Sequence, residues 1–207
     1  MNHFLLELRK ELHTLRWDDH RYYHQSRINQ SLHFVSAISF VVAYVLLFID
    51  PPMAAIVGWC VSMVTRQSGH FFFEPRGFDH VNQVSDAYKE EVKVGYNMHR
   101  KTILLSVWLL IPAVLWFAPS LFGLIEPAAD VMGFLRDVGS AWLALALVGL
   151  AFRVAQLWRQ DRARTGFVWL AKILTDPFHD IALYHRAPLH LLRGELLDPM
   201  PHARQPR

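Results

Sequence analysis

Four apolar runs, at 32–49, 53–65, 102–117 and 138–152, hold almost none of this chain's charge. A helix of a water-soluble bundle breaks its apolar face with polar residues every third or fourth position. Residues 34–49 offer only Ser36, Ser39 and Tyr44 as such breaks. Blocks of this kind suit a bilayer, whose hydrocarbon core takes about 20 apolar residues of helix to cross. The two shorter runs reach that length when extended, as 52–73 through Phe71, Phe72 and Phe73, and as 138–158 to Trp158. The expected fold is therefore all-α, an integral membrane bundle of about four transmembrane helices with a histidine-rich polar face. Residues 1–31 read as an amphipathic helix and a histidine-containing segment, and 32–158 as the membrane domain with a polar loop at 75–101. Residues 159–207 read as a polar C-terminal segment.

Charge placement gives the orientation. Of 21 Lys and Arg, five precede the first run, six lie at 66–101, nine follow from Arg153, and only Arg136 lies between the third and fourth runs. Basic residues collect on the cytoplasmic side of membrane proteins, so both termini are expected in the cytoplasm. The membrane is then bacterial inner membrane or endoplasmic reticulum. The net charge of +3 follows from this topology and calls for no nucleic-acid partner. Cys60 is the only cysteine, which excludes a disulfide within the chain. Charges interrupt the first seventeen residues too often for a signal peptide. Phe4, Leu5, Leu8, Leu12 and Leu15 recur at helical spacing, fitting a helix on the membrane surface or on the protein's own polar part.

Local signals add detail. Asp50-Pro51-Pro52 predicts a tight turn with proline opening the second span. Pro112 predicts a kink in the third. Asp176-Pro177 reads as the cap and first turn of a short new helix, and the last ten or so residues as poorly ordered.

Twelve histidines, at 3, 13, 20, 24, 33, 70, 80, 99, 179, 185, 190 and 202, all fall on the side assigned to the cytoplasm. Neutral imidazole is a common ligand for zinc and iron, and iron oxygenases add a carboxylate while leaving sites open for substrate and dioxygen. His24, His33, His70 and His99 each border a span, and His20 and His185 join them as candidate ligands. His70 and Glu74 are four residues apart and share a helix face, as do His20 and His24. His24 and His33 are nine apart and would oppose each other on one helix, so a shared metal requires a break between them. Asn29 or Ser31 is the expected new cap. His3, His13 and His202 read as ordinary surface residues.

Two stretches resemble a known family. "YYHQSRINQSLH" resembles the pattern Y-H-x-N/P-x-x-N-x-x-x-H through Tyr23, His24, Asn29 and His33. "RQSGHFFFE" resembles Q-x-x-G-H-x-x-F-E through Gln67, Gly69, His70, Phe73 and Glu74, with one residue fewer after the glutamine. Both patterns belong to the membrane 2-hydroxy-fatty-acid dioxygenases of yeast endoplasmic reticulum and bacteria. The resemblance implies Fe2+ held by His24, His33 and His70, with Glu74 as a fourth ligand or as the acceptor that orients His70. It implies dioxygen and a 2-hydroxy fatty acid as substrates, the acid losing one carbon. Arg66, Arg100, Lys101, Asn29 and Gln67 are the residues expected to bind the substrate, and the Phe71–Phe73 cluster is a candidate lining for its chain. The chain departs from the family in having "PRGFDH" after the glutamate and a short 37-residue interval from His33 to His70. Two other readings stay open. One is a different membrane lipid hydroxylase or desaturase, although "HRYYH" is matched by no adjacent histidine pair. The other is a non-catalytic protein that binds metal or senses pH. Oligomeric state is not legible.

Overall fold

The computed structural model describes residues 3–92 and 98–200, with side chains for all of these except 98–101. Among the described residues the chain is all-helical, and its only β pairings are two isolated bridges. Helix α1 spans His3–Tyr23 and α2 spans Arg27–Leu46. Helix α3 (Pro51–Val57) passes through a π-helical turn (Gly58–Met63) into α4 (Val64–Phe72), so 51–72 forms one rod. Short α5 (Asp86–Val92) lies in the polar loop, followed by α6 (Met98–Phe117) and α7 (Val131–Gln160). Helix α8 (Ala163–Tyr184) and the short α9 (Ala187–Leu192) complete the order.

Side-chain caps explain several boundaries. Asp50 accepts the Met53 N–H at 3.3 Å, with Pro51 and Pro52 in the first turn, where a missing N–H costs nothing. Asp130 accepts the Gly133 N–H at 2.7 Å and starts α7 seven residues before the expected 138. Asp176 and Pro177 do not begin a helix, contrary to the sequence signal; both lie inside α8. The Asp176 carboxylate, which would have capped, is drawn instead to Lys172 at 2.6 Å and Arg16 at 3.1 Å.

Helices α2 and α7 are each long and apolar enough to cross a membrane, and α6 carries a shorter apolar stretch, 102–117. Helix α3 packs closely on α7, where a side chain on Gly139 would strike the Pro52 backbone. A small residue at the contact lets two helices approach this closely. At the same end Arg136 forms a two-bonded ion pair with Asp50, at 2.9 and 3.1 Å. Helix α8 lies across α2 and α7, burying Val154, Leu157 and Trp169 together.

The segment after α9 is not loose as far as it is described. Residues 195–200 return to the α1–α2 junction, where Leu196 O accepts the Arg27 N–H at 2.9 Å and Asp198 N–H donates to Gln25 O at 2.8 Å. The Asp198 carboxylate takes Arg27 and Gln30, both at 3.0 Å, and Met200 is fully buried. The side chains of His99, Arg100 and Lys101, and the whole of His202, fall outside the described residues.

Candidate metal centre

The expected break between His24 and His33 is present, but its cap is Ser26 rather than Asn29 or Ser31. Ser26 is extended (φ −75°, ψ 128°), and its Oγ accepts the Asn29 N–H at 3.4 Å. The Asn29 side chain is committed elsewhere, donating to Tyr23 O at 2.8 Å. Gln30 donates to His24 O at 2.7 Å. Both amides hold the three-residue gap between α1 and α2 in a fixed bend. That bend turns His24 back toward His33, two positions that a continuous helix would place on opposite sides.

Helix α4 supplies the third imidazole. Gly69 lies against α2 so closely that a Cβ there would collide with Asn29 Oδ1. This contact brings His70, the next residue, onto the other two rings. Ring centroids are 4.2 Å apart for His24–His33, 4.9 Å for His33–His70 and 5.2 Å for His24–His70. One nitrogen from each of the three lies within 4.8 Å of the others, in a group able to hold a metal ion. His24 and His33 are fully buried and His70 nearly so.

The outward-facing nitrogens set the tautomers. His24 Nδ1 lies 2.9 Å from Asp19 O, a carbonyl that can only accept. His70 Nδ1 lies 2.7 Å from Glu74 Oε2, and His33 Nδ1 faces Asp180 Oδ2 at 3.6 Å. The His24 and His70 rings therefore place a proton on Nδ1 and turn Nε2 inward, while His33 directs its Nδ1 toward the Asp180 carboxylate. The His24 and His33 Nε2 atoms are only 3.1 Å apart. That spacing suits either a hydrogen bond from one ring to the other or a cation shared between them. An ion about 2.1 Å from each of two imidazoles separates their nitrogens by roughly 3.0–3.4 Å, so the pair already has ligand spacing. Oxygen acceptors on the far nitrogen are the usual companions of metal-bound histidine.

Protonation states agree. Burial, reinforced by the neighbouring His33, pushes the His24 imidazole down to about 3, so the ring is neutral near pH 7. Burial alone would raise the Asp19 carboxyl. The Lys172 ammonium at 3.1 Å and the nearby imidazoles outweigh it and hold Asp19 well below the carboxylate range. Burial, with Asp180 close by, keeps the Tyr184 phenol neutral far above its ordinary range.

Other expected residues are placed as follows. His20 is buried beside the cluster, with Nδ1 3.1 Å from Tyr184 Oη. The Tyr184 ring lies 5.7 Å from His24 and 6.2 Å from His33, separating His20 from the three-ring group. His185 is no ligand of this group. It is exposed, with Nδ1 3.0 Å from Ala182 O, because it follows Tyr184 onto the solvent side of the helix end. Arg66 pairs with Asp180 at 2.5 Å and thus reaches His33 through a shared carboxylate. Gln67 lines a cavity between the helices, whereas Asn29, expected to touch substrate, is a brace for the bend. Phe71, Phe72 and Phe73 are not among that cavity's lining, and Phe72 is exposed.

Asp19, Asp180 and Tyr184 were not anticipated. Asp180 and Tyr184 share a helix face at i,i+4 spacing, a signal that was open to reading. No family model, curated protein or solved structure matches this chain.

Proposed function

We propose that this chain is a membrane-embedded, Fe2+-dependent dioxygenase that shortens 2-hydroxy fatty acids by one carbon. The observation that carries the reading is the convergence of His24, His33 and His70 with every Nδ1 turned outward to an oxygen. Those are the three histidines that the motif resemblance assigns to iron. Three neutral nitrogens leave coordination positions open for a chelating 2-hydroxy acid and for dioxygen. The bound ion would supply the redox chemistry and the Lewis acidity.

The overall change balances without an outside reductant. One 2-hydroxy acid and one dioxygen give the acid shorter by one carbon, carbon dioxide and water; the bond between carbons 1 and 2 breaks and dioxygen takes four electrons. The protein's own groups bind and orient. Glu74 fixes His70 as a ligand, and Asp180, balanced by Arg66, faces His33. Arg66 also offers a cation to the substrate carboxylate, one helical turn from His70. The buried setting limits water at the reacting atoms.

The membrane reading has four spans: α2, the 51–72 rod, α6 and α7, with both termini and the histidine site on the cytoplasmic side. It is supported by the basic residues at that side and by broad apolar exposure on α6 and α7, including Leu109, Phe117, Val148 and Phe152.

The test is metal analysis of detergent-purified protein, followed by oxygen uptake and lipid mass spectrometry with 2-hydroxypalmitate. About one iron per chain, and a product one carbon shorter, is the expected result. Retained chain length points to another lipid hydroxylase or desaturase. Absence of both iron and oxygen uptake points to a non-catalytic metal or pH role.

A further inference from the structure

A cavity of about 420 Å³ runs between α2, the 51–72 rod, α6, α7 and α8. Its two ends differ. At one end are Arg66 and Gln67, a turn from His70. At the other are Leu47, Ala54 and Ala55, close to the Asp50 turn. Between them the wall is almost wholly apolar and includes Phe40, Trp59, Trp108 and Trp142.

Gln67 and Ala54 are thirteen residues apart on one rod, which is roughly 20 Å at the helical rise. A space of that length with an almost wholly apolar wall suits an extended polymethylene chain. Beyond the far end two helices pack closely. Gly139 of α7 sits against the Pro52 backbone with no room for a Cβ, just beyond Ala54 and Ala55. The near end carries unused polarity, because buried Arg66 Nε and Gln67 Oε1 have no hydrogen-bond partner. One is a donor and the other an acceptor. A carboxylate takes the first and a neighbouring hydroxyl gives to the second.

We infer that this cavity holds one unbranched acyl chain, head at Arg66 and Gln67, and that Ala54 and Ala55 set the longest chain accepted. Its biological use rests on the proposed reaction, but occupancy requires no metal. Small side chains at the far end leave length for the final carbons, and a larger side chain there would remove it. The π-helical turn Gly58–Met63 contributes Gly58, Trp59 and Met63 to the wall. Such turns recur at functional sites.

The experiment uses full-length protein in detergent, with a bromine-tailed fatty acid that quenches tryptophan fluorescence when bound. Unlabelled 2-hydroxy acids of graded length then compete with it. Wild-type protein should show affinity rising with length to a cutoff. Ala54→Phe should move that cutoff down by several carbons while short acids and metal content stay as in wild type. Leu47→Ala should move it up, which guards against a poorly folding Ala54→Phe protein. Gln67→Leu should weaken all 2-hydroxy acids alike, by about tenfold, and spare acids lacking the hydroxyl. An unchanged cutoff in both length variants overturns the inference, as does failure of any acid to compete. Either failure with iron and turnover intact leaves the proposed reaction standing. Length-graded binding without iron or oxygen uptake supports the cavity assignment and refutes the reaction.

Discussion

The two halves of α2 invert each other. Its first half buries polar groups: Asn29 and His33 are 0% exposed, and Gln30 and Ser36 are hidden with them. Its second half and the turn beyond it expose apolar ones, with Phe48 at 92% and Ile49 at 73%. In water this arrangement would be costly at both ends. Were the chain set in a bilayer, the exposed half (the outer end) would meet lipid, and the polar half (the inner end) would form an interior where unmade contacts are costly. One end of the bundle is thus built by directional hydrogen bonds and charge, and the other by shape and close helix approach. Substitutions at the two ends should behave differently in kind as well as in size.

The largest contrast is expected for ligand loss. His70→Ala should reduce iron from about one per chain to near zero and abolish turnover, while His202→Ala and Arg136→Ala retain both, as read by metal analysis and oxygen uptake. If the His70→Ala protein keeps its iron, the inner end is not a metal centre. Next come the outward partners. Glu74→Gln and Asp180→Asn should each weaken metal affinity by about 10–100-fold, measured by chelator competition.

Acid should act on the inner end. The folded His24 binds its proton only at about 3, while its ordinary value is 6.5. Between these the unfolded chain binds the extra proton. Stability of metal-free protein is therefore greatest above pH 6.5 and declines as pH falls, by up to about 1.4 kcal/mol per pH unit from this group. Thermal melts of metal-free protein across that range check the sign, and a rise in Tm on acidification would contradict it. The smallest effect belongs to the outer end. Arg136→Ala removes a partly exposed pair with Asp50 and should cost no more than about 1 kcal/mol, seen as a small Tm shift that added salt narrows in wild type.

How much of this was legible follows the same division. His24, His33 and His70 could be found because each sits at a junction of apolar and polar sequence, and because nine-residue spacing forced a break to be considered. The cap itself was misjudged: Ser26, Asn29 and Ser31 have equal capping chemistry, and only the Asn29 bond to Tyr23 O decides among them. Asp176-Pro177 misled for a related reason. Its carboxylate had two cationic partners, one of them 160 residues away on α1, that no local pattern reveals. Asp180 and Tyr184 were masked by the histidines around them. His185 was weighed as a ligand because residue type was read without helix phase. The apolar helices were the most legible part, since hydropathy acts locally and needs no partner.

The strap formed by 195–200 has a bearing on how the protein is made. Synthesis proceeds from the amino end, so all three imidazoles leave the ribosome more than a hundred residues before Asp198 can grip Arg27 and Gln30. Until that clasp closes, the bend that aims His24 lacks one of its restraints. Residues 195–200 thus complete a bend formed far earlier in the chain, and a nascent chain lacking them would carry the three imidazoles with one restraint fewer on their register.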